Sequence, residues 1–186
     1  MYRTKRYNRY KSYASKYSNE TTVVNQIHNA GTTIPGGNTF PYHEETHVRG
    51  ITIVAPTNIL GNRKCKNFTI KITANGNTEQ IFGALVYVPE GTIASEMLVT
   101  NNSGSLYEPN QNVISSFIIP PNVMRNADAE VTDRSAPTQI VVTSRLSRNL
   151  NTGDSIVLIF ASPSDLIGTQ EYPLTISGTV NYAIKF

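Results

Sequence analysis

The hydrophobic and polar positions of this chain alternate in short runs, and the period they keep is two. Phe68-Thr69-Ile70-Lys71-Ile72-Thr73 sets apolar against polar at every step, the pattern of a strand with one face buried and one in water. The stretch from Gly178 to Phe186 reads the same way. Ile156-Val157-Leu158-Ile159-Phe160 is apolar throughout and too short to argue for a helix, so it predicts a strand covered on both faces. Runs of this kind predict eight strands, at 21–28, 46–55, 67–74, 80–88, 112–119, 138–146, 154–161 and 174–185.

Turn-forming residues stand between the runs. Asn75-Gly76-Asn77 and Asn151-Thr152-Gly153-Asp154 supply side chains that tolerate positive φ in tight turns. The longer connections, 89–111 and 120–137, carry Pro, Gly and acids and leave room for a short helix at 93–98 or 122–130. No internal repeat and no second core is visible, and 186 residues suit one domain. Eight strands with long connections predict an all-β fold, a single eight-stranded jelly-roll β-sandwich over residues 19–186.

Composition narrows the function classes. The chain has no Trp, and its one cysteine, Cys65, excludes an intramolecular disulfide and a Cys-based zinc site. The first eighteen positions lack the apolar segment of a secretory signal, and no stretch approaches the roughly 20 apolar residues of a spanning helix. A soluble chain with no membrane partner is expected.

Charge divides the chain in two. The net charge of +3 conceals a +6 segment at residues 1–17, where Arg3, Lys5, Arg6, Arg9, Lys11 and Lys16 stand with no acid. The remaining residues hold ten basic side chains against thirteen acids, for −3. Tyr2, Tyr7, Tyr10, Tyr13 and Tyr17 are interleaved with the cations and make up half of the ten tyrosines. Such a segment has too little apolar surface to offset its ordering entropy, so residues 1–18 are expected to form a disordered arm. Lysine and arginine neutralise phosphates, and aromatic rings stack on bases of any identity, at about 1–3 kcal/mol each. The arm therefore predicts single-stranded nucleic acid as a partner, bound without sequence readout. A nuclear-import signal, or a tail that only aids solubility, would use the same cations.

Two further motifs suggest metal chemistry. His43-Glu44-Glu45-Thr46-His47 matches the H-E-x-x-H zinc-protease pattern, but that chemistry needs a helix to bring both imidazoles to one metal. Here the motif follows Gly36-Gly37 and Pro41 and runs into a strand pattern at Val48–Val54, so no metal site is expected. Asp128, Glu130 and Asp133 contain the oxygens that Ca²⁺ takes, yet lack the spacing of a calcium loop and read as a solvated turn. Phosphate-cradling and dinucleotide-binding motifs are missing, as is the serine-nucleophile motif. The chain is expected to be no enzyme and to need no cofactor.

Three segments resemble a known family: Gly83–Thr92, Ser105–Ile114 and Ser144–Asp154 look like parts of capsid proteins from circular Rep-encoding single-stranded DNA viruses, the circovirus-like group. The resemblance implies a jelly-roll subunit that self-assembles, with sixty copies in a T=1 icosahedral shell around single-stranded viral DNA. It also implies a location in the virion and, during infection, in the host nucleus, with host import machinery as a partner. This chain is shorter than circovirus capsid proteins, and its arm is short and Tyr-rich where theirs is long and Arg-rich. Two alternatives stand beside this reading. A satellite-type capsid around single-stranded RNA would use the same arm chemistry. A carbohydrate-binding β-sandwich, lectin or adhesin, would leave the arm without a purpose and lacks the Trp that sugar platforms often use.

Overall fold

The structure, a computed structural model, describes residues 16–28, 48–76, 80–97, 112–125, 131–134, 136–161 and 174–186. Of the disordered arm expected over residues 1–18, residues 1–15 lie outside them, while Ser18 is the first residue of a strand and pairs with Ile184. Strands dominate the described residues: β1 (Ser18–His28), β2 (Val48–Val54), β3 (Arg63–Asn75), β4 (Ile81–Val88), β5 (Val113–Ile119), β6 (Val123–Arg125), β7 (Val131–Arg134), β8 (Thr138–Ser144), β9 (Arg148–Leu150), β10 (Ser155–Ala161) and β11 (Leu174–Lys185). One 3₁₀ turn, Ala94–Met97, accompanies them.

Two antiparallel sheets form the body. One runs β1-β11-β3-β8, with β9 also paired to β3, and the other runs β2-β10-β4-β5. Among the eight longer strands of the two sheets, the first pairs with the last, β2 with β10, β3 with β8, and β4 with β5. That nesting is a long hairpin wrapped upon itself, the connectivity of a jelly roll. Each predicted strand is present within a few residues. The count of eight is corrected to nine, because β9 has only three residues and carries no readable period. The helix allowed at 122–130 is also corrected: Val123–Arg125 is a strand paired with β7 in a separate two-stranded ribbon.

The inner faces meet in one core, with Val24, Phe68, Ile70, Ile72, Ile176 and Val180 from one sheet and Leu85, Phe117, Ile119, Ile156, Leu158 and Phe160 from the other. Phe117 and Phe160 meet edge to face with centroids 6.2 Å apart. Hydrogen bonds close both sides of the sandwich. Thr22 Oγ1 donates to the Ile53 carbonyl at 3.0 Å, and Ser144 Oγ donates to the Ile114 carbonyl at 2.9 Å.

β3 is longer than its alternation suggests because its parity changes midway. Arg63 and Cys65 point inward, and so do Phe68, Ile70, Ile72 and Ala74. The pairing with β11 slips between Asn181 and Ala183, opposite Asn67, which adopts φ 56°. Asparagine tolerates this left-handed conformation better than most residues, so the extra residue forms a bulge. Odd positions before the bulge and even positions after it therefore face the core.

Candidate nucleic-acid interface

Of the eleven arm residues singled out from the sequence, two fall among the described residues. Lys16 is exposed and Tyr17 is half-buried. Arg3, Lys5, Arg6, Arg9, Lys11, Tyr2, Tyr7, Tyr10 and Tyr13 lie outside. Tyr17 directly precedes β1, an edge strand of the five-stranded sheet. The ammonium of Lys66, on β3, sits 3.8 Å from the centroid of the Tyr17 ring. Such a contact contributes about 0.5–1 kcal/mol at an exposed site. Tyr17 is thus directed across the sheet toward β3.

The face that Tyr17 meets can be built from register. Inward positions are fixed by the core, so their neighbours along each strand point to solvent. On β3 these are Lys64, Lys66, Thr69, Lys71 and Thr73, on β11 Ser177, Thr179, Asn181, Lys185 and the buried Ala183 opposite Lys66, and on β8 Gln139, Val141 and Thr143. β1 adds Asn19, Thr21 and Val23. Lys64 is the direct cross-strand partner of Lys185, and Lys71 lies between Thr179 and Val141. Thr21 Oγ1 and Asn181 Oδ1 are hydrogen-bonded at 2.7 Å on this surface. No Asp or Glu occupies an outward position of this sheet among the described residues, since Glu20 pairs with Tyr182 on the opposite parity. Four lysines on one acid-free sheet face were not found from sequence. The run Arg63-Lys64-Cys65-Lys66 displayed the charges, but their common side depends on the bulge at Asn67.

A second polar cluster lies at one end of the sandwich. Asp154 is 4% exposed, and its carboxylate accepts hydrogen bonds from Tyr87 Oη at 2.6 Å, the Asn151 amide at 2.7 Å and the Glu90 amide at 3.1 Å. The Arg63 guanidinium donates to the carbonyls of Ala55 at 2.8 Å and Asp154 at 3.1 Å. Burial first, and then the hydrogen bond to Asp154, pushes the Tyr87 phenol up to about 12. Gly153, at φ 82°, shapes the Asn151–Asp154 turn, in which the Asp154 amide donates to the Asn151 carbonyl at 3.3 Å. With two backbone amides and one phenol as donors, this carboxylate ties its own turn to the end of β4 and has the chemistry of a clamp.

Among the described residues no group of three or more His, Cys, Asp or Glu is placed to hold a metal ion. His43, Glu44 and His47 lie outside them, as do Asp128 and Glu130, while Asp133 falls in β7. Cys65 is buried, and burial pushes its thiol up to about 11, the opposite of an activated nucleophile.

No family model matches the chain, and no curated protein matches it. Among solved structures, an aminopeptidase from the marine sediment archaeon Thaumarchaeota archaeon is similar at 11% identity and a TM-score of 0.33. The match covers 93% of this chain and 34% of the other, so this chain spans about a third of that enzyme's length. A likeness at that level carries no argument about activity.

Proposed function

We propose that this chain is a viral capsid protein that self-assembles into a small icosahedral shell and packages single-stranded DNA through its N-terminal arm. The observation that carries the reading is the segregation of charge: six cations and five tyrosines end at Tyr17, one residue before the edge strand of a jelly roll whose body has a net charge of −3. A jelly roll has protected edges and two broad faces, so identical copies can close a shell by repeated symmetric contacts. The choice of DNA over RNA rests on the resemblance of Gly83–Thr92, Ser105–Ile114 and Ser144–Asp154, as do sixty copies, a T=1 shell and passage through the host nucleus.

Replacing Arg3, Lys5, Arg6, Arg9, Lys11 and Lys16 by Gln tests the role of the arm. None of these residues belongs to the described core, so the variant should fold and assemble while nucleic-acid content falls sharply. If all six cations contact phosphate, log K against log salt should lose a slope of roughly 4, at about 0.7 per contact. Undiminished packaging by the variant would overturn the arm's role, and digestion of the packaged polymer by deoxyribonuclease or ribonuclease decides its type.

A further inference from the structure

We infer that the outer face of the five-stranded sheet is a second binding surface for the same nucleic acid, on which Lys64, Lys66, Lys71 and Lys185 hold the sugar-phosphate backbone of the strand that the arm engages. The inference rests on the proposed role of the arm and adds a site within the body.

Lys64 and Lys185 stand on adjacent strands as direct partners, Lys66 follows two residues along β3, and Lys71 lies beyond the bulge on the same strand. At about 3.3 Å per residue, Lys64 to Lys71 makes a track roughly 20 Å long. Hydroxyl and amide side chains border it: Thr69, Thr73, Thr179 and Asn181 sit on the two central strands. These groups can hydrogen-bond to phosphate and sugar oxygens without reading a base. Outward acids, which would repel a phosphate chain, are lacking among the described positions of this sheet. The net charge of −3 over residues 18–186 therefore misdescribes this face, because four of the ten basic residues of the body are gathered on it.

The arm and the track are continuous. Tyr17 is the last tyrosine of the arm, and its ring meets Lys66 in the middle of the lysine row. A strand stacked on the arm's rings is thus delivered onto the track. Tyr17 is the one aromatic residue among the outward positions described on this face, so the track binds by charge and hydrogen bonding rather than by stacking. That division predicts different salt behaviour for the two parts, since phosphate contacts release counterions and stacking releases few.

The test measures binding of full-length protein to a single-stranded oligonucleotide of mixed sequence over a salt series, with circular dichroism to confirm folding. Ten cation contacts in the wild type predict a slope of about −7, and the variant K64Q/K66Q/K71Q/K185Q should show about −4. Replacing the same four residues by Arg should restore the wild-type slope, which a structural role for the lysine stems would not require. Tyr17→Ser should weaken binding with the slope nearly unchanged. A wild-type slope in the four-Gln variant, with the slope still reduced by the arm substitutions, would overturn the track and leave the arm's role standing. No binding by the wild type at low salt would overturn both. Lost affinity for heparin with unchanged affinity for the oligonucleotide would reassign the lysines to a sulfated glycan and overturn the proposal.

Discussion

The two sheets present opposite outer faces. On the four-stranded sheet, Ala84, Val86, Val157 and Ile159 point away from the main core yet are buried, in a second apolar cluster with Ala94 and Met97 of the 3₁₀ turn. On the five-stranded sheet most of the corresponding positions reach solvent and hold lysine, threonine and asparagine, Ala183 being buried beside Lys66, and its valines Val23 and Val141 are 71% and 65% exposed. One face is used up in stabilising the fold, and the other is exposed to solvent. The difference explains why β10 is buried at every residue while β8 alternates.

A matched pair of substitutions should separate the two faces most widely. Val157→Asp places a carboxylate at a position with no exposure, without a partner, and should cost more than about 4 kcal/mol or prevent folding. Val141→Asp, the same change on the open face, should stay within about 0.5 kcal/mol in a denaturation experiment. It also sets an acid directly opposite Lys71, so it should weaken oligonucleotide binding while leaving stability alone. Equal destabilisation by the two changes would mean that both faces are covered.

The Asp154 clamp tests the body beneath both faces. Asp154→Ala leaves the Tyr87 hydroxyl and the Asn151 and Glu90 amides without their acceptor and should cost about 3 kcal/mol in urea unfolding. Gly178→Ala should cost about 2 kcal/mol, because a Cβ there would run into the Lys71 carbonyl on the neighbouring strand. The same variant should shift Lys71 and so register in binding, which Asp154→Ala should not.

A further expected effect is alkaline. Burial raises the Cys65 thiol to about 11 and the Tyr87 phenol to about 12, and it raises the Tyr182 phenol as well. The folded chain keeps these protons where the unfolded chain releases them, so stability is full below pH 9 and falls as pH rises from about 9 toward 12. Urea midpoints over that range should decline, with Cys65→Ala flattening the lower part and Tyr87→Phe the upper. A midpoint that rises through this window would contradict the burial of these groups.

Much of this organisation was legible in the sequence. The unbroken apolar run at Ile156–Phe160 announced a strand covered twice, and the alternation at Phe68–Thr73 announced one covered once. Their pairing was not legible, since β10 meets β4 and β2 through contacts about 70 and 105 residues away that leave no local pattern. Asp154 read as a turn residue, and its turn is present. Its clamp depends on Tyr87 and Glu90, which only the fold brings near. The concentration of charge in residues 1–17 stands out in the sequence because it is contiguous. The lysine face was hidden because a bulge at Asn67 decides which side of β3 each charge occupies.

The proposed function makes this jelly roll a shell subunit that carries nucleic acid. Sedimentation of the purified full-length chain, with the ultraviolet absorbance ratio followed across the boundary, tests it most directly. One fast, uniform boundary of closed particles that contain nucleic acid is expected, with no added cofactor. A slow boundary of nucleic-acid-free monomer, over a broad range of salt and protein concentration, would contradict it.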